Sequence, residues 1–404
     1  MNDAAQVRGL IAMAVEAIQY LRAYFNENGR YNLSVAEDIM AAAEAIARSL
    51  SCGPPPVMSI SAFEENGGGA DAELERLSEW LAAAEGIMLR NSKGFTVEYP
   101  VDYEYLLIIH ELSRSSYGEV LSGIKDKFLA LPEKPKNAIE DYLKKYMFWG
   151  TLDRSKGDFN FLENRAKTLH GHWPDLMWLY SNLSDYRSRQ TLYALIKNWY
   201  ECDLSALLTA EDKIYKDYFD MDIFKCGHGE VLVDMGSFIG DTVKDYILSY
   251  GKKYKRIYCY EITPSTFEEL KHNLGYLPDV VFRHKGVSDK RGIMYIADDS
   301  RLTTNALSEK GGIAVETVTI DEDITEPVTF IKMDIEGAEQ KALLGCASHI
   351  KNDKPKLAVS VYHNNEDIWK IPRMIEEICP GYRFYLRYHG GNLLPTELTL
   401  LAVQ

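Results

Sequence analysis

The stretch Val231-Leu-Val-Asp-Met-Gly-Ser-Phe-Ile-Gly-Asp-Thr242 decides the fold. Val231, Leu232 and Val233, closed by Asp234, read as a strand buried on both faces. Gly236 then lets the backbone approach a ligand with no Cβ in the way, and a helix begins near Gly240 with its first N–H groups turned to the ligand's polar end. The spacing Asp-x-Gly-x-x-x-Gly differs from the Gly-x-Gly-x-x-Gly of dinucleotide folds, where the third glycine accompanies a pyrophosphate. A carboxylate at the strand tip repels a pyrophosphate and suits a cationic ligand that carries an amino-acid group. An ordinary strand–turn–helix joint has the same outline, so the neighbouring segments must decide.

Downstream, Arg256–Glu261 reads as the next strand, and Glu261 at its tip can accept both hydroxyls of a ribose. Nicotinamide cofactors share that feature, so it points to adenosine rather than to one reaction. Further apolar runs at Val280–Phe282, Val328–Asp334 and Lys356–Tyr362 alternate with helical stretches, which predicts a parallel sheet covered on both faces. Tyr382–Tyr388 and Leu398–Val403 are joined through Gly390-Gly391-Asn392 and Pro395, with no room for a crossover helix, so this pair is expected to be antiparallel. The fold class is therefore α/β: a Rossmann-like, mostly parallel sheet with a C-terminal antiparallel hairpin, the outline of class I methyltransferases, preceded by an all-α region. In Ile331-Lys-Met-Asp-Ile-Glu-Gly-Ala-Glu339, Asp334 ends the fourth strand, at the edge where open sheets place their sites. Glu336 and Glu339 fall at the start of the next helix, where the dipole favours negative charge. That reason suffices for Glu339, which leaves Asp334 and Glu336 as site candidates.

Upstream, Val7, Leu10, Ala14, Ile18, Leu21 and Phe25 form one stripe of an amphipathic helix. A second helix is expected from Ser34, with Glu37 completing a capping box and Val35, Ile39, Ala43, Ile46 and Leu50 as its stripe. Pro54–Pro56 and Gly67–Gly69 mark a loop, and Leu74, Leu77, Leu81, Ala84 and Met88 a third helix. From Val101 to Tyr218 the pattern stays helical and aromatic-rich; Ser184 opens a helix that buries Leu192, Ile196 and Trp199. The expected division is a helical bundle or docking region at 1–100, a helical lead-in at 101–225 and a catalytic domain at 226–404. The N-terminal helices suit homodimerisation or docking to a glycan enzyme.

The 404 residues carry 60 acidic against 45 basic side chains, a formal charge of -15. Such a surface repels phosphate backbones, so no nucleic-acid partner is expected. No apolar run is long enough for a membrane span, and the N-terminus has no secretion-signal pattern. The six cysteines include no C-x-x-C pair, so reduced thiols and a cytoplasmic location are the expectation.

From residue 226 onward the sequence resembles the FkbM family of methyltransferases. Asp234-Met-Gly-Ser-Phe-Ile-Gly-Asp-Thr242 is similar to the family's cofactor loop, and Tyr260–Asn273 to its ribose-binding strand and following helix. Gly286–Gly292, Val318–Asp321 and Lys332–Glu339 match in order and spacing; Met235 and Ile262 depart from the commoner small or acidic residues. The resemblance implies S-adenosylmethionine bound over the first two strands and O-methylation of a sugar, glycan or natural-product small molecule. It makes Asp234, Gly236, Gly240 and Glu261 cofactor contacts, with Ser237, Phe238, Asp241, Thr242 and Ile262 in the same two segments. Val287, Ser288 and Asp289 would lie near the adenine, and Asp334 beside the amino-acid end or the transferring methyl.

Methyl transfer from a sulfonium is an in-line displacement that needs an aligned acceptor oxygen and a place for its proton. His363, at the end of the fifth strand on the same rim as Asp334, is the first choice of base. Asp334 or Glu336 is the alternative, alone or by holding a divalent ion, although no residue is assigned as a metal ligand. His170-Gly-His172 reads as a surface pair. Arg301, Thr303 and Asn305 are expected to form part of the acceptor wall. Two competing readings are a nicotinamide-dependent oxidoreductase, which the glycine spacing disfavours, and a non-catalytic scaffold, which has no use for Asp234, Glu261 and Asp334 together.

Overall fold

A computed structural model describes residues 4–28, 31–50, 55–56, 63, 70–90, 99–146, 148–297, 307–310, 312–391 and 393–404. The chain forms two compact units, Met1–Ser116 and Tyr117–Gln404.

The first unit consists of helices α1 (Ala4–Asn28), α2 (Leu33–Leu50), α3 (Ala70–Arg90) and α4 (Pro100–Arg114). Its core gathers Ile11, Ala14, Ile18 and Leu21 of α1, Ile39, Ala43 and Ile46 of α2, and Leu74, Leu77, Leu81 and Ala84 of α3. All but Ile11 belong to the expected stripes; Leu10, Phe25 and Val35 of those stripes are only partly buried, and the side chains of Val7, Leu50 and Met88 lie outside the described residues. Helix α2 starts at Leu33, one residue ahead of the expected Ser34, and its first turn closes from Ala36 N–H to the Asn32 carbonyl at 3.2 Å.

The second unit opens with α5 (Tyr117–Ala130), α6 (Glu133–Lys145), α7 (Asn160–Asn182) and α8 (Tyr186–Glu201). Strands β1 (Val231–Met235), β2 (Arg256–Tyr260) and β3 (Val280–Arg283) alternate with α9 (Asp241–Tyr250) and α10 (Pro264–Leu274). Then come β4 (Gly286–Val287), β5 (Gly292–Ile296), β6 (Ile313–Val318), α11 (Ile320–Asp323) and β7 (Phe330–Met333). The chain continues through α12 (Glu339–Leu344), α13 (Ala347–Asn352), β8 (Lys356–Ser360), α14 (Asp367–Ile378), β9 (Arg383–Tyr388) and β10 (Leu398–Val403).

The main sheet has the order β3-β2-β1-β7-β8-β10-β9. Its first five strands run parallel, and β10 is antiparallel to both β8 and β9, as the C-terminal turn requires. A separate three-stranded sheet, β4-β6-β5, was not anticipated; β5 begins exposed and β6 mixes exposed with buried positions, so they lack the unbroken apolar run of a buried strand. The main sheet is laid down outward from β1 on one side and then, from β7, on the other. Between β1 and β7 the strand order reverses, which opens a crevice at their C-terminal ends.

Strand β9 is the sheet edge, and the start of α8 covers it. Ser184 N–H donates to the Phe384 carbonyl at 2.9 Å, and Leu386 N–H donates to Ser188 Oγ at 2.9 Å. The helix begins after Asp185, not Ser184: the Asp185 carboxylate accepts from Ser188 N–H at 2.8 Å and from Arg387 Nη2 of β9 at 2.7 Å. Leu192, Ile196 and Trp199 are buried as expected. Burial alone would raise the Asp185 pKa, but Arg387 and Ser188 outweigh it and hold it below the ordinary value. The carboxylate therefore adds stability above its ordinary pKa, and this is lost as pH falls through the lower folded value. Asp185→Asn is expected to lower the thermal midpoint at neutral pH, by about 1–2 kcal/mol in stability. The gap to wild type should narrow on acidification; a gap of constant size between neutral pH and pH ~3 refutes the charged role.

Candidate active site

A cavity of about 510 Å³ lies in the crevice at the C-terminal ends of β1, β2, β7 and β8. Among the sequence candidates, Gly236, Phe238, Asp241, Thr242, Glu261, Ile262, Val287, Asp334, Glu336 and His363 line it. Ser288 lines a neighbouring cavity instead, and Asp289 lines neither; its carboxylate accepts from the Ser288 hydroxyl at 3.0 Å. Arg301, Thr303 and Asn305 lie outside the described residues.

One half of the cavity is built from the β1–α9 and β2–α10 turns. Gly236 has φ 77°, and a Cβ there would sit 1.8 Å from the Asp334 carbonyl oxygen, so only glycine fits between the two strand ends. Gly240, at φ 87°, caps α9, and a Cβ would press into the Leu274 side chain. Glu261 is 8% exposed and accepts three backbone N–H bonds, from Phe238 at 3.1 Å, Ile262 at 2.9 Å and Thr263 at 2.8 Å. Burial raises its pKa against the pull of those donors. The carboxylate thus ties the two turns together and keeps lone pairs for hydroxyl donors.

The expected direct contact of Asp234 is corrected. Its side chain is 0% exposed and does not line the cavity; it pairs at 3.1 Å with Lys332 Nζ, the residue beside it in register on β7. Ser237 is likewise buried, its hydroxyl bonded to the Asp234 carbonyl at 2.9 Å. Lys332 does line the cavity and donates to the Gly236 carbonyl at 2.8 Å. Burial works to lower the Lys332 pKa, but Asp234 and then Asp334 outweigh it, and the ammonium stays charged. The acid at the strand tip therefore acts through Lys332, which props the glycine turn from below.

The other half is acidic and aromatic. Asp334 accepts from the Tyr218 hydroxyl at 2.9 Å, with the Tyr362 hydroxyl at 3.5 Å. His363 is 1% exposed; its Nδ1 faces Glu339 Oε1 at 2.9 Å, and its Nε2 lies 3.5 Å from Asp334 Oδ1 and 3.6 Å from Glu336 Oε2. Burial alone would lower the His363 pKa; Glu339, Asp334 and Glu336 reverse that and push it up to about 10. Burial pushes Glu336 up to about 8 and Glu397, also on the wall, up to about 7. Tyr142, Tyr146 and Phe148 close this side, the Phe148 ring 5.3 Å from the His363 ring.

Glu339 is more than a helix-start charge. It is fully buried, and Oε1 accepts from Ile335 N–H at 2.9 Å and Gly337 N–H at 3.4 Å while facing His363. Its spacing carried no local signal, because Glu336 and Gly337 form a turn ahead of the helix that Glu339 opens. Lys332 and the aromatic wall also escaped the sequence reading. Of the seven non-glycine residues with positive φ among the described residues, Tyr218, Phe238, Glu336 and Glu397 line this one cavity, a concentration of backbone strain typical of functional sites. His172 stacks on Trp369 at 4.1 Å between centroids and faces Asp175, a packing role.

No curated protein matches the chain significantly. Among solved structures it is similar to the methyltransferase FkbM from Methylobacillus flagellatus KT, with a TM-score of 0.51 and 22% identity over 68% of this chain and 72% of that one. A putative rRNA-methylase from Clostridium thermocellum aligns with a TM-score of 0.32 and 10% identity, over 46% of this chain and 90% of that one. The first likeness shows a class I methyltransferase fold, and the second is too slight to add to it. Among the described residues no helix is long and apolar enough to cross a membrane. Residues 234–390 match the family described as the methyltransferase FkbM domain.

Proposed function

We propose that the second unit transfers the methyl group of S-adenosylmethionine to a hydroxyl of a sugar, glycan or natural-product small molecule. The observation that carries this reading is the meeting, in one cavity, of a glycine turn joined to a ribose-type carboxylate and a carboxylate–histidine group. Glu261 accepts the ribose hydroxyls, Gly236 and Phe238 bring the backbone up to the cofactor, and Asp241 and Thr242 sit at the positive end of α9. Val287 lies on the adenine side. Lys332 lies under the turn, where its charge also suits the cofactor's carboxylate.

The acceptor enters against Tyr142, Tyr146 and Phe148, whose ring faces suit a sugar ring, with Asp334, Glu336 and His363 beside its hydroxyl. The acceptor oxygen attacks the methyl carbon in line, the carbon–sulfur bond breaks, S-adenosylhomocysteine leaves, and the hydroxyl proton passes into the Asp334–Glu336–His363 group. The acidic walls disfavour a phosphorylated acceptor.

The test is calorimetric titration with S-adenosylhomocysteine, with NAD as the control. Binding of the first and not the second is expected; the reverse result rejects the proposal. His363→Ala is expected to keep S-adenosylhomocysteine affinity within a few-fold and to lower methyl transfer by about 100-fold or more. A fully active variant removes His363 from the mechanism.

A further inference from the structure

We propose that Asp334 Oδ1, Glu336 Oε2 and His363 Nε2 together bind one divalent cation at the acceptor side of the cavity. The proposal rests on the reading of this cavity as a methyl-transfer site and specifies how the acceptor hydroxyl is made acidic there.

Three observations point to an ion. First, His363 is 1% exposed, and neither of its ring nitrogens completes a hydrogen bond of good geometry, although Nε2 is aimed between two carboxylates. A buried polar atom left in that state costs free energy unless something else satisfies it. Second, the separations fit a coordination shell. Nε2 is 3.5 Å from Asp334 Oδ1 and 3.6 Å from Glu336 Oε2, too long for strong hydrogen bonds. Ligand atoms around one ion with bonds of ~2.1 Å lie about 3.0–3.4 Å apart, so each carboxylate oxygen is within a few tenths of an ångström of that spacing from Nε2. Third, the other ring nitrogen faces the buried Glu339 carboxylate at 2.9 Å, the outer carboxylate that commonly fixes the ring of a metal-bound histidine. The ligand atoms of Asp334, Glu339 and His363 lie within 4.8 Å of one another.

The surroundings agree. Glu336 holds its side chain in place from a backbone with φ 56°, a conformation unfavourable for glutamate that requires a compensating interaction. Asp217 and Glu397 add further negative charge to the wall. The carboxylates that draw a proton onto His363 draw a cation equally well, and a bound metal displaces that proton. One imidazole with two carboxylates and open positions suits Mn²⁺, Fe²⁺ or Zn²⁺, with Mg²⁺ held more weakly through the same oxygens. A hydroxyl bound in an open position loses its proton more readily, as a metal-bound water does.

The test uses the full chain, stripped with a chelator and titrated with Mn²⁺, and follows the free-ion electron paramagnetic resonance signal with and without S-adenosylhomocysteine. One Mn²⁺ per chain is expected to bind. Glu336→Gln and His363→Gln are each expected to weaken Mn²⁺ binding by about 10–100-fold, while calorimetric S-adenosylhomocysteine affinity stays within a few-fold. Wild-type protein that binds S-adenosylhomocysteine but neither takes up Mn²⁺ nor shifts its melting midpoint with Zn²⁺ overturns the proposal. Mn²⁺ binding unchanged in both variants overturns it as well. Failure of the wild type to bind S-adenosylhomocysteine at all instead rejects the methyl-transfer reading.

Discussion

Replacing Lys332 by methionine is expected to destabilise the second unit by about 3–5 kcal/mol, the cost of leaving one member of a buried ion pair alone. Asp234 is 0% exposed and Lys332 1% exposed, and among the described residues the pair at 3.1 Å is the ion pair that Asp234 makes. Burial already raises the Asp234 pKa, with Lys332 as the opposing influence. Without the ammonium, Asp234 must either take up a proton or remain as an unpaired charge, and the Gly236 carbonyl loses its donor. A fall of roughly 6–20 °C in the unit's melting midpoint is the readout. The double variant Lys332→Met with Asp234→Leu should recover most of that loss, since removing both charges avoids the orphan. A single variant that melts within a degree or two of wild type shows that the pair is not needed to hold the turn.

The second large effect is on ligand affinity. Glu261→Ala is expected to weaken S-adenosylhomocysteine binding by at least about 100-fold, because hydrogen bonds to a charged acceptor contribute about 1.5–3 kcal/mol each and two ribose hydroxyls would lose theirs. The change also frees the N–H groups of Phe238, Ile262 and Thr263, so the two turns lose their common tie. Glu261→Gln separates the two effects: one amide oxygen remains to accept, so its affinity should lie between those of wild type and the alanine variant. Equal affinity in wild type and Glu261→Ala, measured by calorimetry, removes Glu261 from the cofactor site.

Much of the architecture was readable in local patterns. Val231–Val233, Phe330–Ile331 and Leu357–Val359 are apolar runs because each strand is buried on both faces, and the short C-terminal connection left only an antiparallel hairpin. What escaped depends on residues brought together from distant positions. Lys332 is an unremarkable lysine in the sequence; only the register of β1 against β7 sets it beside Asp234. Glu339 had a sufficient local explanation in the helix dipole, and that explanation hid its contact with His363. The aromatic wall comes from α6 and the turn after it, in a stretch whose spacing speaks only of helix packing. The small sheet β4-β6-β5 has no continuous hydrophobic signature because its strands are partly exposed.

The fit of Gly236 against the Asp334 carbonyl has a mechanical consequence. A Cβ at Gly236 would come within 1.8 Å of that oxygen, and Asp334 N–H in turn donates to the Met235 carbonyl at 3.0 Å. Turn and strand end are therefore clamped to each other with no slack, and a displacement of a few tenths of an ångström on one side must be taken up on the other. On the proposed function, a cofactor seated on the glycine turn would therefore also bias the pose of Asp334, the carboxylate proposed to stand beside the acceptor.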